Sequence, residues 1–113
     1  MFGHLDIVHE LCKRGANVNV ARTDNNFTAL MCASQEGHLK VVRELCANGA
    51  NVNATQIFGA KVLHIASCHG QLEVVRFILQ NGADKSAATT DGRTAFSVAT
   101  GPHKAALQAL LKP

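Results

Sequence analysis

The side chains equipped for chemistry are four cysteines, six histidines and eight carboxylates, and their spacing decides what they could do. His64 and Cys68 stand four residues apart with His69 adjacent, so on a helix the first two share a face. Two ligands at i and i+4 is a zinc geometry, but structural zinc takes four and the sequence offers no second pair. Cys12, Cys32 and Cys46 fall where equivalent stretches of the chain carry Leu, Ile or Val, which reads as small hydrophobes in a core. Cys68 aligns with Gln35 at a solvent-facing position, yet no histidine and acid accompany it in an arrangement that would activate a nucleophile. Phosphate-binding loops, G-x-S-x-G and H-E-x-x-H are all missing. The acids are scattered too thinly to work as a catalytic pair. The expectation is a chain without catalytic residues, metal or cofactor.

Composition narrows the remaining classes. With 113 residues, 47% of them hydrophobic and 17% charged, the chain suits one small domain and is too apolar for a disordered segment. No apolar run approaches the roughly 18–20 residues that cross a bilayer, and His4, Asp6 and His9 interrupt what would be a signal peptide's apolar segment. The net charge of +3 comes from basic residues spread along the chain, and Trp and Tyr are absent. That gives neither a phosphate-binding stripe nor a base-stacking platform, so nucleic acid is not an expected partner, and a membrane is not either. Cysteines without paired short spacings point to a reducing, intracellular and cytoplasmic setting.

What positions these side chains is an internal repeat. Residues 37–54 read GHLKVVRELCANGANVNA; residues 3–20 match them at 12 of 18 positions and residues 70–87 at 9 of 18. Two glycine series, Gly3, Gly37, Gly70 and Gly15, Gly49, Gly82, advance together by 34 and then 33 residues. Within each copy the apolar residues recur at helical spacing, as in Leu39, Val42, Leu45 and Leu72, Val75, Ile78. Each such helix runs into Gly-Ala, where glycine can adopt the left-handed conformation that ends a helix. A shorter helix precedes two of them, within 28–37 and 61–70, and Asn-rich, turn-forming loops join the units. Neither helix can bury its apolar stripe alone, so the units must stack.

The units resemble the ankyrin-repeat family, whose pattern is roughly D-G-x-T-P-L-H-x-A-A-x-x-G-H-x-x-V-V-x-x-L-L-x-x-G-A-x-x-N. Asp91-Gly92-Arg93-Thr94-Ala95-Phe96 carries the opening turn, Leu63-His64-Ile65-Ala66 the first helix, and Gly37-His38-Leu39 with Gly49-Ala50-Asn51-Val52-Asn53 the remainder. The family's Pro is replaced by Ala29, Val62 and Ala95, and Lys61 stands where a capping Thr belongs. The resemblance implies an all-α solenoid of helix-turn-helix units joined by β-hairpin-like loops. Its expected divisions are a partial unit at 1–21, units at 22–54 and 55–87, and a degenerate capping unit at 88–113. The first unit lacks its short helix, which leaves Leu5, Val8 and Leu11 as an edge expected to belong to a longer array or to self-associate.

The same resemblance implies a role, the binding of a protein partner on a concave face. Carried onto this chain, that face takes Asp24, Asn25 and Phe27 on one turn tip, Ile57, Phe58 and Ala60 on the next, and Thr90, Asp91 and Arg93 on the third. Gln35, Glu36, Cys68 and His69 join them from the short helices. Large apolar residues at solvent-facing tips often mark an interaction patch; the alternative is that Phe27, Ile57 and Phe58 fold back onto neighbouring units. The resemblance also marks Asn19 and Asn53 as candidate sites of asparaginyl hydroxylation, against a simpler role in turn hydrogen bonds. The alternative to a binding module is a structural segment of a longer array that contacts no ligand.

Overall fold

The structure, a computed structural model, describes residues 26–112. Six helices follow one another among the described residues: α1 (Ala29–Glu36), α2 (Leu39–Ala47), α3 (Val62–Cys68), α4 (Leu72–Gln80), α5 (Ala95–Val98) and α6 (Lys104–Leu111). They pair as α1–α2, α3–α4 and α5–α6, and the pairs stack so that α1, α3 and α5 form one layer and α2, α4 and α6 the other. The loops between pairs narrow to single antiparallel bridges, Thr55 with Lys61 and Ala88 with Thr94. The all-α solenoid expected from the repeat is therefore the fold.

Helical periodicity places the core between the two layers. Leu30, Met31, Val42, Leu63, Val75 and Ile78 are all buried, as are Leu107 and Leu111 in the last pair. Each short helix starts from an extended residue. At α1 the Thr28 hydroxyl accepts from the Met31 N–H at 3.3 Å, and at α5 Thr94 and Ser97 cap each other reciprocally. Lys61 supplies no such acceptor, as expected. Instead its own N–H donates to His64 Nδ1 at 2.9 Å, while its ammonium reaches the Asn53 carbonyl and the Thr55 hydroxyl.

The turn inside the second pair has two constraints at one residue. Gly70 has φ +69°, and a Cβ there would lie 2.9 Å from the Thr100 carbonyl oxygen, so both the backbone conformation and the approach of the next unit exclude a side chain. Thr100 stands that close because its N–H donates to the Ser67 carbonyl at 3.2 Å and its hydroxyl to the Cys68 carbonyl at 2.6 Å. Capping α3 in this way draws the chain out of helix after Val98, so α5 keeps four residues where α3 has seven.

One expectation fails on burial, and one alternative is decided. Cys32 is exposed, not a core residue, although in the same register Ile65 is buried and Val98 half-buried. Phe27 is half-buried and packs on the core, so of the three apolar tip residues only Ile57 and Phe58 project, at 54% and 70% exposure. Cys46 is half-buried against the core as expected, and burial pushes its thiol up.

Two stability predictions follow from buried polar groups. Ser67 is fully buried and its hydroxyl has no partner, and an unmet hydroxyl in such a place is destabilising. Ser67→Ala, which also favours helix, is expected to raise stability by about 1 kcal/mol in urea unfolding; a loss would show that the hydroxyl is satisfied after all. His64, 4% exposed, has its pKa lowered chiefly by burial, with the Lys61 ammonium adding to the effect and the Ala87 carbonyl opposing it. The unfolded ring takes up a proton near its ordinary value of about 6.5, whereas the folded ring resists. Stability is then full above that pH and declines as pH falls through the lower folded-state value. In His64→Gln, the unfolding midpoint should be lower at neutral pH and its decline between pH 7 and 5 shallower; an unchanged slope would remove His64 as the source.

Candidate functional site

His64 ties two successive loops together at the wall of a groove. Its Nδ1 accepts from Lys61 N–H, so Nε2 carries the proton of the neutral ring and donates to the Ala87 carbonyl at 3.0 Å. Both ring nitrogens are thus committed to backbone, one on each of two successive loops. His69 Nδ1 is likewise bonded to the Ile65 carbonyl at 3.0 Å. The i, i+4 pair of His64 and Cys68 therefore has no nitrogen available from His64. Among the described residues, no group of three His, Cys, Asp or Glu side chains is gathered for a metal ion.

The loops and short helices enclose a groove of about 280 Å³ with mostly apolar walls. It brings together Phe27, Gln35, Ala60, Cys68, His69 and Arg93, six of the residues expected on the concave face. Its floor is Ile65, itself part of the core, and Val98. The register they share with Cys32 was available as a signal, since a slot that accepts Cys, Ile and Val equally is not sized by close packing on every side.

A second hollow of about 390 Å³ adjoins it, lined by Phe58, Thr90 and Asp91 together with Ala60, Thr89 and Arg93, which the two hollows share. Here the Arg93 guanidinium lies 3.0 Å from the Asp91 carboxylate, an exposed pair that adds little stability. The Thr89 hydroxyl, ahead of Arg93, holds the Asp91 carboxyl below the usual carboxylate range. The hollow thus joins an aromatic ring to a fixed pair of opposite charges.

Phe58 is held unusually firmly for so exposed a residue. Its N–H donates to Gln56 Oε1, and its carbonyl accepts both the Thr90 N–H at 3.2 Å and the Thr90 hydroxyl at 3.0 Å. The next residue, Gly59, has φ +83°, and a Cβ on it would meet the Thr90 nitrogen at 2.9 Å. The backbone is clamped from both sides while the phenyl ring stays in solvent.

The remaining expected residues lie apart. Glu36 is exposed on the rim and pairs with His38 at 3.3 Å, and Ile57 projects beyond both hollows. Asn53 is half-buried in the loop after α2. Its Nδ2 donates to the Gly82 carbonyl at 3.2 Å and its Oδ1 accepts from the Asp84 N–H at 3.1 Å, so it carries the turn hydrogen bonds considered for it. Asp24, Asn25, Asn19, Cys12 and the edge of Leu5 and Val8 lie outside the described residues. No helix among the described residues is long and apolar enough to cross a membrane.

Comparison with known proteins agrees with this architecture. No curated protein matches the chain. Two family models do: ankyrin repeats (3 copies) over residues 1–56, and ankyrin repeats (many copies) over residues 45–99. Ankyrin repeats are generally protein–protein interaction modules and typically non-catalytic. With matches running from residue 1 to residue 99, and stacked helix pairs that close each unit on the next, the chain belongs to the ankyrin-repeat family.

Proposed function

We propose that this chain binds a protein partner on its concave side, with Phe58 inserted into the partner and the groove between Phe27 and Arg93 receiving an apolar side chain in return. The observation that carries the reading is the clamped tip: Phe58 is 70% exposed while its backbone is fixed through Gln56 and Thr90. An exposed phenyl ring is an unfavourable surface feature, and one held still has already given up the backbone freedom that binding would remove. Aromatic anchors of that kind dominate interface energetics. The groove at the foot of the tip has the mostly apolar walls and few polar groups of a pocket that takes one side chain. Gln35, His69 and Arg93 at its margin would fix the orientation of the incoming chain.

The test is a capture from cell lysate followed by titration of the captured protein against wild type and Phe58→Ala. Phe27 is unsuitable as the probe because it packs on the core. Phe58→Ala is expected to weaken binding by about thirtyfold, a loss of about 2 kcal/mol, with an unchanged circular dichroism spectrum. Arg76→Ala, on the exposed side of α4, should bind as wild type does. Equal affinity for wild type and Phe58→Ala would assign these units the spacer role within a longer array.

A further inference from the structure

Asparagine precedes glycine twice in this chain, at Asn48–Gly49 and Asn81–Gly82, in the same register 33 residues apart. Glycine leaves the preceding asparagine open to attack by the next backbone nitrogen, because no side chain shields that nitrogen. Both pairs sit at the C-terminal ends of long helices, α2 and α4, and all four residues are exposed. A Cβ on either glycine would meet nothing within 4 Å, so packing does not cover the sites.

Hydrogen bonding does. Asn48 Nδ2 donates to the Glu44 carbonyl at 2.8 Å, and Asn81 Nδ2 to the Phe77 carbonyl at 2.9 Å. A carbonyl can only accept, so the amide orientation is fixed by the partner. The attacking nitrogens are engaged as well: Gly49 N–H donates to the Cys46 carbonyl at 3.1 Å and Gly82 N–H to the Leu79 carbonyl at 3.2 Å. With ψ of 17° at Asn48 and 19° at Asn81, each glycine nitrogen is directed back along its helix, away from the side-chain carbon it would have to reach.

The second turn is also held by the preceding unit. Asn53 donates to the Gly82 carbonyl and accepts from the Asp84 N–H, holding the backbone on both sides of Ala83. We propose that Asn48 and Asn81 are latent deamidation sites whose conversion is gated by opening of their turns, and that Asn53 is the residue that gates Asn81.

In the opened turn the glycine nitrogen gives up its proton and bonds to the asparagine side-chain carbon. The bond from that carbon to Nδ2 breaks, and ammonia leaves carrying the proton. Water then opens the resulting cyclic imide at either carbonyl, yielding aspartate or isoaspartate. The product works against the turn that protected its precursor. It has lost the donor to the Glu44 or Phe77 carbonyl, and it places a negative charge at the negative end of a helix dipole.

The experiment incubates the full chain at mildly alkaline pH, folded in buffer or unfolded in urea, and follows each asparagine by peptide mass mapping. Asn53→Ala is run in parallel. Both sites should convert in urea at similar rates, and each should be at least about tenfold slower in the folded chain, since exchange of a turn of this kind requires local opening. In folded Asn53→Ala, conversion at Asn81 should rise by about tenfold, the worth of the two lost hydrogen bonds, with Asn48 unchanged. Equal rates in buffer and urea, or no conversion in urea, would overturn the gating. A rise at both sites alike in Asn53→Ala would overturn the local lock, because it would mean that the whole stack had been loosened.

Discussion

Each helix pair leaves carbonyls at its turns and helix ends that accept from donors in the pair before it or the pair after it. Gln71 reaches the Gln35 carbonyl at 3.0 Å, Thr90 the Phe58 carbonyl, Asn53 the Gly82 carbonyl, His64 the Ala87 carbonyl, and Thr100 the carbonyls of Ser67 and Cys68. An unmet backbone group costs more than a made bond gains, so these ties fix the stagger and spacing of the stack as well as adding to its stability. The apolar stripes determine that the pairs stack; the orphaned carbonyls determine in which register they do so. Every other feature, from the short α5 to the held Phe58 tip, follows from that register.

The fold was legible in the sequence because its signal is periodic. Two glycine series in phase, and leucines and valines recurring at helical spacing, leave stacking as the only way to cover the apolar faces. Phe58 and Ile57 were legible as tip residues through the resemblance to ankyrin repeats, and both are exposed. What the sequence could not supply was the direction in which a short side chain points where inner layer and groove meet. Cys32, Ile65 and Val98 fit a core slot and a groove floor equally well, and Phe27 occupies the register of Ala60 and Arg93 while lying partly on the core. Burial there depends on how far the neighbouring loop leans over, and that is set by hydrogen bonds such as His64 to Ala87, whose partners are 23 residues apart. Hydrophobic periodicity carries no information about contacts of that span.

His64 shows how one side chain can look like chemistry in the sequence and like architecture in the structure. A histidine four residues from a cysteine invites a metal. The structure decides by valence: a neutral imidazole has one donor and one acceptor, and both are spent on backbone. Thr28 and Thr94 cap their helices with hydroxyls, and Lys61 cannot, so at that unit the first turn is left with the bond from the Lys61 N–H to the ring. Replacing the cap with a lysine has thereby made the histidine more central to this unit, and with it the unit's tolerance of acid.

The tip and the helix end of the central unit are held by different neighbours. Thr90, from the following unit, immobilises Phe58, and Asn53, from the preceding one, immobilises the Gly82 turn. Because a repeat stack is held by nearest-neighbour interfaces, separating the following unit would free Phe58, whereas separating the preceding one would free the Asn81–Gly82 turn. Rigidity at the tip and chemical durability at the turn are then consequences of two interfaces of one unit. A substitution that loosens only one of them would cost one property and spare the other.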